Sequence, residues 1–256
     1  MTHHRRLPAH QLPDAFHSQP LMGSDLNIWR ASLSGSLDEL SYFDSLLSPD
    51  EKARAERFYF ERDRNRYIFG RGILRVLVGS YLQVEASKIT FVYGPHGKPA
   101  IESMHSNKTL QFNLAHSNEW AVYAFGWDQP LGIDLEHIRP MPDVDDLAER
   151  FFSATESALI HSLADEQKWE TFFTIWTCKE AFLKASGSGL TSPLNQFEVS
   201  PKASGGMRLT SISGNPKPAA RWRVEIFKPI ADYQSAIAVE DHSGKIIFHQ
   251  FDGQTF

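Results

Sequence analysis

The segment WTCKEAFLK, residues 176–184, sets one glutamate and two lysines among large apolar side chains. Glu180 and Lys184 are four apart, so on a helix they share one face. That spacing suits a surface ion pair, and it suits half of an active site equally well. Trp176 and Phe182 leave the helix little free surface, so an acid placed here needs a partner. The helical pattern extends over residues 169–187 and stops near Gly187, a residue suited to a helix end. A second long apolar-faced helix reads over residues 62–82, RDRNRYIFGRGILRVLVGSYL. The segment RAERFYF precedes the first helix in the chain, and LAERFF precedes the second. The predicted order of helices, strands, helices and strands gives an α+β protein of two similar subdomains. The predicted divisions are a flexible polar arm over 1–22, an N-terminal subdomain over 23–129 and a C-terminal subdomain over 130–256. A ligand shared by two such halves would lie in the cleft between them.

The remaining elements follow from alternation and punctuation. LNIWRASL (26–33), LQFNLAHS (110–117), WAVYAFGW (120–127) and PLGIDLEHI (130–138) read as strands. The stretch SPDEKARAERFYF (48–60) opens with serine, proline and two acids, a strong helix start. SATESALIHSL (153–163) carries a capping box, with Glu156 three residues after Ser153. FEVS, WRVEIF, SAIAVE and KIIFHQF read as closing strands.

Bulk properties exclude several classes. The chain has 256 residues, 41% of them hydrophobic, and a net charge of -5. With a pI near 6.1 it has no global basic field for nucleic acid. One cysteine, Cys178, rules out an internal disulfide and fits a cytoplasmic protein. No apolar run approaches the length of a membrane span.

The chemistry concentrates in a few places. In GIDLE (132–136), Asp134 and Glu136 are two apart, so on a strand both carboxylates point to one face. Alone, this could be the solvated edge of an antiparallel strand. Ile133, Leu135 and Ile138 anchor the strand and weaken that reading. With Glu180 from the helix, three carboxylates make a hard-cation site suited to Mg²⁺ shared with a substrate phosphate. Lys184, one turn on, supplies a point charge for that phosphate. His116 is the next-to-last residue of FNLAHS (112–117), near GKP (97–99), where Gly97 permits a tight turn. Seven arginines between Arg54 and Arg75 form a basic cluster, mostly solvated helix faces, but Arg66 and Arg71 flank an apolar patch. The loop at 186–190 follows a helix C-terminus, whose dipole disfavours an anion, so it reads as a helix stop. Cys178 reads as a small buried residue rather than a nucleophile.

Taken together, FNLAHS, GIDLE, RFFS (150–153) and WTCKEAFLKASGSGL (176–190) resemble the Sfp-type 4′-phosphopantetheinyl transferases. The resemblance runs over residues 29–199. It implies a pseudo-twofold monomer that binds coenzyme A between its halves. The implied reaction moves the phosphopantetheine arm to a serine of an acyl or peptidyl carrier protein and releases 3′,5′-ADP. By motif position it implies that Asp134, Glu136 and Glu180 ligate Mg²⁺, that Glu180 is the base, and that Lys184 holds the pyrophosphate. It implies coenzyme A contacts at Lys98, His116 and Arg54, with Arg71 added. Two positions depart from the pattern. Ala115 stands where many relatives have serine, and Glu51 where some have lysine; both changes are expected to weaken coenzyme A binding. The competing readings are an inactive module that binds coenzyme A or carrier protein, and a Mg²⁺-dependent nucleotide phosphohydrolase.

Overall fold

The computed structural model describes residues 21–94, 97–101, 108–187, 192–241 and 243–251. The predicted arm therefore lies outside the described residues up to position 20. Leu21 is already buried in the core of the first half, and its carbonyl accepts from Trp127 Nε1.

The first half begins with β1 (Leu26–Ser32). Three helices follow: α1 (Leu37–Leu46), α2 (Pro49–Ala55) and α3 (Glu61–Leu82). A 3-10 turn at Ala86–Lys88 leads to a hairpin, β2 (Phe91–Tyr93) and β3 (Pro99–Ile101). The half closes with β4 (Leu110–Ser117) and β5 (Trp120–Trp127). The second half repeats this plan. It runs β6 (Leu131–His137), α4 (Val144–Phe151), α5 (Ala154–His161), α6 (Asp165–Ser186) and a 3-10 turn at Leu194–Gln196. A hairpin of β7 (Phe197–Pro201) and β8 (Met207–Ile212) comes next. Then come α7 (Pro216–Ala219), β9 (Trp222–Phe227) and β10 (Tyr233–Glu240). The antiparallel order β1-β5-β4 in one sheet matches β6-β10-β9 in the other. The last strand, β11 (Ile246–Gln250), crosses back and pairs in parallel with β1, Leu26 opposite Ile246.

The repeat extends to a buried ion pair. Arg75 lies fourteen residues after the start of α3, and Lys179 fourteen after the start of α6. Each meets the capping-box glutamate of the preceding short helix: Arg75 Nε is 2.6 Å from Glu51, and Lys179 Nζ is 2.7 Å from Glu156. Each also donates to two carbonyls at the following 3-10 turn, Ala86 and Ile89 in one half, Leu194 and Phe197 in the other. Such paired charges survive burial because every one keeps a partner.

β6 is packed closely on both sides, against α6 of its own half and against β4 of the other sheet. A Cβ on Gly132 would stand 2.2 Å from the Ala181 carbonyl oxygen, so only glycine lets α6 lie directly on β6. Asn113 Oδ1 accepts from the Ile133 N–H at 2.8 Å, and Ser117 Oγ accepts from the His137 N–H at 3.1 Å. An apolar cluster including Leu26, Ile28, Val122, Ile133, Leu135 and Ile237 seals the seam.

Some boundaries differ from those predicted. α2 stops at Ala55 rather than running to 60, because Arg57 and Phe58 tighten into bonds to the carbonyls three residues back. Phe58, Tyr59 and Phe60 are consequently exposed. α6 starts four residues earlier than expected, and β8 is a strand beyond those predicted.

Candidate active site

β6 carries Asp134 and Glu136 toward α6, which carries Glu180 and Lys184. The Lys184 amine is 2.6 Å from Asp134 Oδ1 and 3.3 Å from the Ile133 carbonyl. The i,i+4 pairing expected on the helix surface does not form. Lys184 reaches across to the strand instead, because Gly132 brings the helix so close. The Asp134 side chain is 8% exposed, and its Oδ2 is buried with no hydrogen-bond partner among the described residues. Glu136 accepts from Ser117 Oγ at 3.3 Å and has Arg139 at 4.0 Å. Glu180 is half-buried and makes no hydrogen bond or ion pair among the described residues.

The three acids feel one another. Burial raises the Glu180 pKa, the Asp134 and Glu136 charges raise it further, and Lys184 partly offsets this. Burial likewise raises that of Glu136, with Asp134 adding to it and the Ser117 hydroxyl opposing. Mutually repelling carboxylates gain from a cation placed among them. Among the described residues, no three or more His, Cys, Asp or Glu side chains are closed into a metal-holding group. The unpartnered Asp134 oxygen and the two proton-avid glutamates are nonetheless a donor set that fits a hard divalent ion.

Beside the acids lies a cavity of about 560 Å³, lined by Arg54, Arg66, Tyr67, Arg71, His116 and Ser117 among others. Ser117 belongs to both the cavity wall and the Glu136 contact, so the basic cleft abuts the acidic cluster. Arg54 is exposed, with its guanidinium 5.7 Å over the Tyr67 ring. Arg71 is buried on the cavity wall, over the rings of Phe91 and Tyr93, and donates to the Tyr93 hydroxyl. His116 opens to solvent at the cleft. The surrounding walls and the cations Lys184 and Arg66 hold its pKa below the usual range. Three arginines and a histidine make this wall a receptor for anions.

Lys98 behaves differently. Gly97 and Pro99 line the cavity, but the Lys98 amine donates to the main-chain carbonyls of Leu131 (3.0 Å) and Lys184 (2.8 Å). Burial and neighbouring Lys184 lower its pKa to about 8. Its charge caps the C-terminal end of α6, where cations are favoured. Ala115 does not line the cavity either; it is buried in the apolar seam, facing away from the side His116 takes. Glu51 is turned inward to Arg75, away from solvent. Cys178 is fully buried and its thiol pKa is raised, mainly by burial, which makes it inert. The anchors Asn113 and Ser117 were not assigned from sequence. Their signal was alternation, since both sit in FNLAHS on the side of β4 that faces β6.

Two family models match. The 4′-phosphopantetheinyl transferase superfamily covers residues 130–238, and the 4′-phosphopantetheinyl transferase N-terminal family covers residues 29–126. The chain is 44% identical over 179 residues to the 4′-phosphopantetheinyl transferase HetI of Nostoc sp., an alignment spanning 70% of this chain and 75% of that protein. It is 34% identical over 164 residues to the 4′-phosphopantetheinyl transferase Sfp of Bacillus subtilis, spanning 64% and 70%. Among solved structures it matches a holo-(acyl-carrier-protein) synthase of Bacillus anthracis in complex with CoA (3′,5′-ADP). That match has 21% identity and a TM-score of 0.38, over 44% of this chain and 96% of that one. The chain belongs to the Sfp-type 4′-phosphopantetheinyl transferase family. It is an enzyme that transfers the phosphopantetheine arm of coenzyme A to a carrier protein.

Proposed function

We propose that Asp134, Glu136 and Glu180 hold Mg²⁺ and that the adjoining basic cavity holds the nucleotide end of coenzyme A. The observation that carries this is the buried, unpartnered Asp134 oxygen beside two proton-avid glutamates, next to a cleft walled by arginines. Bound there, Mg²⁺ supplies charge neutralisation to the donor's pyrophosphate.

The chain's own residues do the rest. Arg54, Arg71 and His116 orient the nucleotide phosphates, and Lys98 adds charge from behind Lys184 rather than as a direct ligand. Glu180, without an ion-pair partner among the described residues and raised in pKa, takes the proton from the incoming serine hydroxyl. The serine oxygen forms a bond to phosphorus as the pyrophosphate P–O bond breaks. Lys184, within reach of the acids at Asp134, stabilises charge on the departing 3′,5′-ADP. No covalent enzyme intermediate is needed, because positioning and charge carry phosphoryl transfer.

We further propose that the enzyme works as a cytoplasmic monomer, in keeping with its single buried thiol. Its halves divide near residue 129, with β11 exchanged onto the first sheet. The test is the intact mass of an apo carrier protein incubated with the enzyme, coenzyme A and Mg²⁺, with and without EDTA. Gain of one phosphopantetheine arm that EDTA abolishes supports the reading. Transfer at full rate in EDTA would remove the metal. Cleavage of coenzyme A without any carrier protein would favour a phosphohydrolase.

A further inference from the structure

The duplicated ion pair provides an internal control. In the second half, Glu156 Oε2 takes the Ser153 N–H (2.8 Å) and Lys179 (2.7 Å), while Oε1 takes the Val199 N–H at 2.8 Å. The glutamate is fully used within the fold. In the first half, Glu51 Oε2 likewise takes the Ser48 N–H (3.0 Å) and Arg75 (2.6 Å). Its other oxygen differs. It stands 3.2 Å from Arg71 Nε, near enough for charge attraction but not aligned as a hydrogen bond.

The matching positions show what has changed. Phe91 follows Ala86 by five residues, as Val199 follows Leu194. In the first half, the Arg71 guanidinium lies 5.2 Å over the Phe91 ring. Arg71 lies ten residues into α3, and the residue ten into α6 is Ile175, which is buried. The buried lock therefore needs no arginine at this position. The first half has placed one there, on the cavity wall, within reach of an otherwise unused carboxylate oxygen.

We propose that Glu51 is a positioning residue, whose Oε1 holds the Arg71 guanidinium on the cleft wall for the phosphates of coenzyme A. This rests on the reading of the cavity as the coenzyme A site. It also reverses the expectation that a glutamate at 51 merely weakens the donor site. The carboxylate is buried against two arginines, and through Arg71 it favours anion binding.

The test combines Glu51→Gln, Arg71→Gln and the double variant, measured for coenzyme A affinity by titration and for KM and kcat at saturating carrier protein. Glu51→Gln keeps the amide-compatible cap but removes the charge. Arg71→Gln is expected to raise the coenzyme A Kd about tenfold, and Glu51→Gln about three- to fivefold, with kcat little changed. In the Arg71→Gln background, Glu51→Gln should add nothing, since a positioning role acts only through its target. Glu156→Gln, which breaks the sister lock, should lower Tm but leave coenzyme A affinity unchanged. If Glu51→Gln does not fold, Glu51→Gln with Arg75→Gln neutralises both sides of the buried pair and carries the same expectation. An unchanged affinity in Arg71→Gln would overturn the coenzyme A reading of this wall, and the proposal with it. An effect of Arg71→Gln with none from Glu51→Gln, or equal Glu51→Gln effects in both backgrounds, would overturn the proposal alone.

Discussion

Replacing Lys179 with methionine tests whether the buried lock holds the catalytic helix in place. The Lys179 side chain is 0% exposed and that of Glu156 2%. The amine contacts Glu156 at 2.7 Å and the Leu194 carbonyl at 2.9 Å, bonds the Phe197 carbonyl, and sits 5.4 Å over the Phe152 ring. Methionine fills nearly the same volume but donates nothing. The Glu156 charge would stay buried with only the Ser153 and Val199 N–H groups, and two carbonyls would lose their donor. Removing one partner of a buried pair costs about 3–5 kcal/mol. Against a total stability of about 5–15 kcal/mol, that is a large fraction. At about 2–4 °C per kcal/mol for a chain of this size, Tm should fall by on the order of 10 °C. Urea unfolding at neutral pH, backed by a thermal scan, measures it. The companion variant, Lys179→Met with Glu156→Gln, leaves no buried charge and should recover at least half of the loss. A single variant destabilised by less than about 1 kcal/mol, or a double variant as unstable as the single, would refute the argument. Turnover well below Tm should change little, because Glu180 and Lys184 are set by the Gly132 contact.

Other expectations follow from the same geometry. Glu180→Gln should abolish nearly all transfer with Tm unchanged or raised, and Lys184→Ala should lower kcat/KM by about 2–4 kcal/mol of transition-state stabilisation, both read from carrier-protein mass. An effect of Lys184→Ala on Tm alone would mean a structural ion pair. Gly132→Ala forces a methyl into the Ala181 backbone and should cost about 3 kcal/mol or more, detectable as a lost or lowered unfolding transition. The raised pKa values of Glu136 and Glu180 mean that folding takes up protons at these sites. Their contribution to stability is complete below the ordinary value of 4.5 and is lost as pH rises through the raised folded values. Relative to Glu136→Gln with Glu180→Gln, the wild type without metal should therefore lose stability on going from pH 4 to pH 7, and Mg²⁺ should restore it at pH 7. A wild-type loss no larger than the variant's would exclude the mutual repulsion.

Several elements could be read directly because the local signals were strong. Ser153 with Glu156 gave a capping box, and Gly187 ended α6 with a positive φ of 71°. Alternation located β1, β4, β5 and β6, since half-buried antiparallel strands repeat every two residues. The pair Asp134 and Glu136 on one strand face, and Glu180 with Lys184 on one helix face, also followed from local periodicity. β8 was not legible, because MRLTSI has only weak alternation and lies after a glycine-rich turn. The first-half counterpart of the Glu156 lock was hidden too. Ser48 and Glu51 read as an ordinary helix start, and nothing local shows that the glutamate turns inward to Arg75.

Local signals alone set which residue types share a face, where Ser48 and Ser153 start helices, and that two stretches of the chain follow a similar plan. Tertiary structure decided their partners. Local spacing paired Lys184 with Glu180, but the close contact at Gly132 gave Lys184 to Asp134. The family resemblance implied a coenzyme A contact at Lys98, whereas in the fold its amine donates to two carbonyls of the other half. The reason is physical. Periodicity sets direction within one element, whereas a partner depends on how close two distant elements come, and between β6 and α6 that distance rests on the missing Cβ of Gly132.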